Sequence, residues 1–268
     1  MFTDSHCHLT FPELAAQLPQ IRQAMAQAQV ARALCICTTL EEFATVHALA
    51  LGYDNFWATV GVHPDNEGVR EPGVDDLVTL GRLPRVVAVG ETGLDYFRLA
   101  GRTVAEMEWQ RERFRTHILA ARQLAKPLVI HTRSAANDTL ALLRELGEDG
   151  GPGSAGGVFH CFTESRLVAR AALDLGFYIS FSGILTFKSA TELHEVAAFV
   201  PQDRILIETD SPYLAPVPYR GKTNNPSYVP WVAKQLAQLR NSTVELIAQA
   251  TSANFERLFK EVDIDKAH

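Results

Sequence analysis

Two histidines stand one residue apart in Asp4-Ser5-His6-Cys7-His8, at the end of a short apolar run. Side chains alternate faces along an extended strand, so His6 and His8 project to the same side. A neutral imidazole is a good ligand for a divalent transition metal, and two on one face make half a site. Four more ligand-type residues close later strand-like runs: Glu91 in VVAVGETGLDY, His131 in PLVIHTR, His160 in GGVFHCF and Asp210 in RILIETDSPYL. Imidazoles and carboxylates, all at the C-terminal ends of strands, point to a divalent-metal site. The chemistry such a site performs is hydrolysis by metal-activated water.

Six ligands so placed require a scaffold that gathers strand ends at one mouth. Strand-like patterns fall near 1–6, 31–38, 56–62, 85–90, 127–131, 157–161, 176–181 and 204–209. Amphipathic helical patterns fall between them near 12–28, 41–51, 74–82, 104–125, 134–146, 164–175 and 189–199, with two more near 226–240 and 243–260. Eight strands alternating with helices imply a parallel sheet, most economically an α/β fold closed as a (β/α)8 TIM barrel. An open doubly wound sheet shares the same pattern. The 268 residues suit one barrel, which typically takes about 250, so a single domain over 1–268 is expected, the C-terminal helices of about 226–260 included. The run Glu148 to Gly157 is rich in glycine. It follows a helix and precedes a strand, which places it on the barrel face opposite the active sites of such folds. A flexible, tolerated insertion is expected there, not a phosphate cradle.

The chain carries 25 basic and 31 acidic residues, a net charge of −6. That argues against a sequence-independent nucleic-acid coat, which carries a basic face, while leaving room for a phosphate substrate whose charge bound cations would meet. No apolar run approaches the roughly 20 residues of a membrane span, and no secretion signal opens the chain, so a cytoplasmic location and no membrane partner are expected. The four cysteines, Cys7, Cys35, Cys37 and Cys161, contain no CxxC pair and are expected as reduced thiols. Asn241-Ser242-Thr243 matches a glycosylation sequon, a chance match in a chain without that signal.

A second tier of residues follows from spacing and type. Asp4 lies two residues before His6, and Glu208 two before Asp210, on the same strand faces. Asp4 is expected as a hydrogen-bond partner behind a ligand; Glu208 is expected to orient a ligand or to fill a polar layer of the barrel. Arg133 and Arg220 could grip phosphate through a bidentate fork, Lys222 as a point charge, and Tyr96 could stack on a base. All four also fit as solvated loop residues. His47, His117 and His194 fall in helical runs and His268 at the terminus, where a structural role suffices.

DSHCHL, VGVHP, GETGLDY, IHTR, FHCF, ETDSPYL, RGKTNNP and ANFERLF occur in this order across nearly the whole chain. Together they resemble the TatD-type metal-dependent deoxyribonuclease family of the amidohydrolase-like superfamily. The resemblance implies a TIM barrel holding one or two divalent cations (Mg, Mn or Zn) and hydrolysis of DNA phosphodiester bonds, often as a 3′–5′ exonuclease. By motif, His6, His8 and Asp210 look like ligands of a first ion, Glu91 like a carboxylate bridging both, and His131 and His160 like ligands of a second. Asp210 would then take the proton during attack or orient the nucleophile. His63, in VGVHP, looks like the family's substrate-contacting histidine, placed to bind a nonbridging oxygen or to protonate the leaving oxygen. Two positions depart from the pattern: Asn225, where the family more often has glutamate, and Asp65. Both concern substrate fit.

Three functions compete. The leading one is a DNA exonuclease acting on single strands or 3′ ends, as a monomer by default. The second keeps the chemistry but acts on a small ester, amide or aminoacyl ester, since fold does not fix substrate. The third is a non-catalytic metal-binding scaffold, against which six ligands plus His63 argue, because a structural zinc site needs only four.

Overall fold

The computed structural model describes residues 1–260 and 262; the remaining residues of the expected 1–268 unit, His268 among them, lie outside the described residues. Eight strands form one parallel sheet in chain order: β1 (Phe2–Cys7), β2 (Val30–Cys35), β3 (Phe56–Val60), β4 (Val86–Asp95), β5 (Leu128–Arg133), β6 (Gly157–Phe159), β7 (Tyr178–Phe181) and β8 (Ile205–Ile207). The helices between and after them are α1 (Pro12–Ala15), α2 (Leu18–Gln27), α3 (Phe43–Gly52), α4 (Val74–Gly81), α5 (Glu108–Leu124), α6 (Ala136–Glu145), α7 (Arg166–Asp174), α8 (Thr191–Phe199), α9 (Val229–Leu239) and α10 (Val244–Leu258). The sheet curls into a nearly closed TIM barrel, which decides against the open doubly wound sheet. Its seam is joined just past β8, where the Asp210 N–H donates to the His6 carbonyl (3.0 Å) and the His8 N–H to the Ser211 carbonyl (2.9 Å). Asp4 fastens the same seam: its Oδ1 accepts the Thr209 N–H at 2.9 Å, and its Oδ2 accepts the Thr209 hydroxyl at 2.5 Å.

Inside the barrel, Leu34, Trp57, Val87, Val129, Val158, Tyr178 and Leu206 supply buried residues from each strand β2 to β8 and pack on Phe255 of α10 and Phe259 just past its end. Burying each such side chain contributes about 1.5–3 kcal/mol. This layer also fixes which residues face inward above it. Two residues beyond Val129, Val158 and Leu206 come His131, His160 and Glu208, so strand alternation turns all three toward the barrel axis. The Phe255 and Phe259 side chains therefore meet this layer on the side away from these polar residues.

Strand limits differ from the sequence pattern where polar residues extend the pairing. β4 runs on to Asp95 because Thr92–Asp95 pair with Ile130–Arg133 of β5, after a register shift between Val89 and Thr92. Glu91 thus sits inside the strand, next to the cis Gly90–Glu91 peptide. A glycine is required at 93, where a Cβ would meet the His131 carbonyl oxygen at 1.9 Å. β6 and β8 are shorter than the pattern suggested, so His160 and Asp210 stand in the loops just beyond them.

The glycine-rich run lies between α6 and β6 as expected, but it is not a loose insertion. Glu148 is fully buried, and its carboxylate accepts the backbone N–H groups of Ala155 (3.1 Å) and Gly156 (2.9 Å) and the Arg122 guanidinium (3.1 Å). The loop is closed on one buried carboxylate, an arrangement that composition does not reveal. Cys7, Cys35, Cys37 and Cys161 are free thiols; the first three are buried and Cys161 is half-buried. No helix among the described residues is long and apolar enough to cross a membrane.

Candidate metal centre

Glu91 is the hub of the barrel mouth. Its Oε2 lies 3.3 Å from His6 Nε2 and 3.9 Å from His8 Nε2, and both of these nitrogens lie 3.5 Å from Asp210 Oδ1. Its Oε1 faces His160 Nε2 at 2.8 Å, and His131 Nδ1 and His63 Nε2 at 3.3 Å each. One carboxylate therefore divides the site into a His6–His8–Asp210 side and a His63–His131–His160 side. His6, His8, Glu91 and His160 are buried, and Asp210 is half-buried. The site opens into a cavity of about 600 Å³ lined also by Phe11, Asp65, Asn66, Arg98, Arg133 and Tyr213.

Hydrogen bonds behind the ring decide which imidazole nitrogens keep a lone pair. His131 donates Nε2–H to Asp95 Oδ2 at 2.9 Å, which leaves its Nδ1 lone pair toward Glu91. His160 donates Nδ1–H to Glu208 Oε1 at 3.2 Å, which leaves Nε2 toward Glu91. Carboxylates behind ligating histidines fix the tautomer in this way and raise the ring's basicity. His63 is set the other way. Its Nδ1 accepts the Asp65 N–H at 3.0 Å, so the proton sits on Nε2 and this ring presents a donor to the cavity, not a ligand. Although His63, Glu91 and His131 bring their ligand-type atoms within 4.8 Å of one another, as His6, His8 and Glu91 do, the tautomer separates His63 from the ligating set.

The charges follow the same grouping. Burial alone would push the Glu91 carboxyl up, but the His160, His63 and His6 imidazoles outweigh it and hold Glu91 well below the usual carboxylate range. Burial also opposes ionisation of Asp210, and His8 and His6 overcome it, so this carboxyl too is lowered. Burial lowers His6 and His63. It is overcome at His8 by Asp210 and Glu91, at His131 by Asp95 and Glu91, and at His160 by Glu91 and Glu208, all of which rise.

The residues fit a divalent cation. Glu91 Oε2 and His160 Nε2 are buried with no hydrogen-bond partner among the described residues, a costly state that coordination to divalent cations would relieve. The mixed imidazole and carboxylate donors suit zinc, manganese or iron, and magnesium with more water. His6, His8 and Asp210 on one side and His131 and His160 on the other, with Glu91 between, could hold one or two ions.

The second-tier residues separate by position. Glu208 is fully buried and orients His160, while its Oε1 also accepts the Cys161 N–H at 2.8 Å. Asp4 does not support an imidazole: its carboxylate takes the His6 and Thr209 backbone N–H groups and the Thr209 hydroxyl, and burial pushes it up to about 8. Arg133 lines the cavity, with its guanidinium 3.6 Å from the centre of the Phe97 ring. Arg220 and Lys222 line a neighbouring hollow that shares Tyr213 and Leu214 with the metal cavity. Tyr96 is not at the mouth. It is 6% exposed, donates its hydroxyl to Asp138 and accepts from Arg111, and lines a separate hollow with Ser134 and Glu164. Asn225 caps the turn before α9 by accepting from Ser227. His47 and His194 bond backbone carbonyls of Pro84 and Leu185, the structural role their helical setting suggested. Sequence reasoning missed Asp95 because the strand was ended at residue 90; carried on to 95, alternation puts Asp95 on the face of Glu91.

A sequence model of the family described as TatD related DNase matches residues 3–260. The metal-dependent hydrolase YcfH of Escherichia coli strain K12 is 46% identical over 260 residues, covering 96% of this chain and 94% of its own. The 3′-5′ ssDNA/RNA exonuclease TatD of Klebsiella pneumoniae strain 342 is 34% identical over 228 residues, covering 83% of this chain and 84% of its own. Among solved structures, the TatD homologue YJJV of Escherichia coli K12 superposes with a TM-score of 0.85 at 30% identity, covering 97% of this chain and 98% of its own.

Proposed function

The chain belongs to the TatD-related DNase family and is a metal-dependent hydrolase, and from that premise we propose that it cleaves nucleic-acid phosphodiester bonds, releasing nucleotides from the 3′ ends of single strands. The observation that carries this reading is the division of ligands by Glu91, with the His63 donor beside them. A metal site aimed at a phosphoryl group needs cations on one side of the reacting phosphorus and a proton donor near its oxygens. A divalent cation held by His6, His8, Glu91, His131, His160 and Asp210 supplies Lewis-acid neutralisation of phosphoryl charge and a water of lowered pKa.

The chain's own residues do the rest. Asp210, kept ionised by His8 and His6, is the base that accepts the proton of the attacking water, or orients that water, at its cavity-facing carboxylate. His63 presents Nε2–H, 3.3 Å from Glu91 Oε1, to a nonbridging or leaving oxygen. Arg133 and Arg98 place positive charge on the cavity wall, where the flanking phosphates of a strand would run. Arg220 and Lys222 continue that charge into the adjoining hollow. The relative named as an ssDNA/RNA exonuclease supports the choice of substrate.

The test is hydrolysis of end-labelled single-stranded DNA by metal-stripped protein, with Mg²⁺, Mn²⁺ or Zn²⁺ restored separately and Glu91→Ala alongside. A ladder shortening from the 3′ end, dependent on metal and lost in the variant, is expected. Untouched DNA with every metal, together with hydrolysis of a carboxylic ester or amide, would overturn the substrate and leave the hydrolase.

A further inference from the structure

α5 packs on the outside of the barrel wall, yet it carries three buried polar side chains on one face: Gln110, Arg113 and His117, exposed by 0%, 3% and 0%. A buried cation and a buried imidazole on a core-facing helix surface are costly unless they have partners. Their partners are backbone groups of the segments that carry the site. Gln110 brackets the backbone of Asp95, accepting its N–H at 2.9 Å and donating to its carbonyl at 3.0 Å. His117 Nε2 accepts the Val62 N–H at 2.9 Å. Arg113 donates from one terminal nitrogen to the carbonyls of His63 (2.8 Å) and Asn66 (2.8 Å) and pairs its other face with Glu71.

We propose that Arg113 and His117 are positioning residues that hold the loop after β3 so that the His63 imidazole meets the reacting oxygens. The inference rests on the reading of His63 given above. The two anchors flank His63 along the chain: one grips the N–H of the residue before it, the other its own carbonyl. The ring is then oriented by the Asp65 N–H on Nδ1, and only Nε2 is left for the cavity. The His117 tautomer is set by its own helix, because Nδ1 lies 2.7 Å from the Arg113 carbonyl and must donate to it. Nε2 is therefore obliged to be an acceptor, which is what the Val62 N–H requires. Burial pushes the His117 imidazole down to about 4, so it remains an acceptor throughout the neutral range. Arginine at 113 is equally specific, since a lysine offers no fork to span the His63 and Asn66 carbonyls while pairing with Glu71.

His117→Asn keeps a donor for the Arg113 carbonyl but is too short to reach Val62, whereas His117→Gln places an amide oxygen near the Nε2 position. Displacing a positioned group by about 1 Å costs on the order of 100-fold. The asparagine variant is therefore expected to lose roughly 10- to 100-fold in kcat, with unchanged metal content and little change in KM. The glutamine variant should recover most of that loss. In the His63→Ala background the asparagine substitution should have almost no further effect, because both changes act through one group. A readout free of any substrate is the His63 ring resonance in the proton NMR spectrum of the native protein, expected to move in His117→Asn and to return in His117→Gln. Wild-type kcat in His117→Asn, or an equal loss with and without His63, overturns the proposal. Absence of phosphodiester hydrolysis by the wild type would instead refute the substrate reading, and the NMR arm then decides the clamp alone. Should the asparagine variant not fold, Arg113→Lys carries the same cycle with His63→Ala.

Discussion

Asp95→Asn removes one charge and one acceptor from the back of the metal site while changing almost no volume. In the native site Asp95 Oδ1 accepts the Phe97 N–H at 2.8 Å, and Oδ2 accepts His131 Nε2–H at 2.9 Å. An asparagine offers one oxygen and one NH2 for these two donors. If its oxygen stays on Phe97, the NH2 faces His131, and the imidazole must move its proton to Nδ1, the nitrogen aimed at Glu91. The lone pair at the ligand position is then lost. If the amide turns over, the Phe97 N–H meets another donor and its hydrogen bond to residue 95 is lost. Loss of such an outer carboxylate typically weakens metal binding about 10- to 100-fold, or roughly 1.4–2.7 kcal/mol. Calorimetric titration of metal-stripped Asp95→Asn should show that loss, and the metal concentration giving half-maximal hydrolysis should rise by the same factor. Activity at saturating metal should be largely kept, because Asp210 and His63, the groups assigned to the proton transfers, keep their own partners. An unchanged affinity, measured on folded protein, would refute the role of Asp95 in setting the His131 tautomer.

Two further outcomes follow from groups away from the substrate. Glu148→Ala strands two backbone N–H groups and removes one of the partners of Arg122, and should destabilise the fold by about 1–3 kcal/mol, a Tm loss of roughly 2–4 °C per kcal/mol. The kcat at 25 °C should be unchanged, since this loop lies on the face opposite the site; a variant melting with the wild type would show that the staple contributes nothing. His117, lowered to about 4 by burial, adds a defined pH dependence. Its folded pKa is below the unfolded value of about 6.5, so the unfolded chain binds the extra proton first. Stability is full above about pH 6.5 and falls as the pH drops toward 4, by about 3 kcal/mol in all. Denaturant unfolding of wild type and His117→Gln between pH 7 and 4.5 checks this, and parallel slopes for the two proteins would count against it.

Much of the site was legible in the sequence because its rule is local. Alternation along a strand depends on neighbours two residues away, so His6 with His8, and the strand-end positions of His131 and His160, follow from spacing alone. Eight ordered motifs then supplied the barrel and the family. Tyr96 shows where that logic stops. Its loop position suggested an exposed ring, but Asp138 and Arg111, 42 and 15 residues away, hold it in the wall. Glu148 shows the same limit for the fold, since composition marks a loop as glycine-rich without marking the carboxylate that ties it down.

The sequence by itself therefore determined the candidate ligand types, the eight-strand scaffold and the hydrolytic chemistry. The tertiary structure alone decided which nitrogen of His131, His160 and His63 is free. That choice belongs to Asp95 for His131, Glu208 for His160 and the Asp65 N–H for His63. It also decided that α5 reaches under the site, through bonds from Arg113 and His117 to backbone atoms 47 to 55 residues away. A backbone N–H or carbonyl is present at nearly every position, so nothing in the sequence marks the one that a distant side chain will meet. Only the packing of α5 against β4 and the neighbouring loop brings them within hydrogen-bond distance.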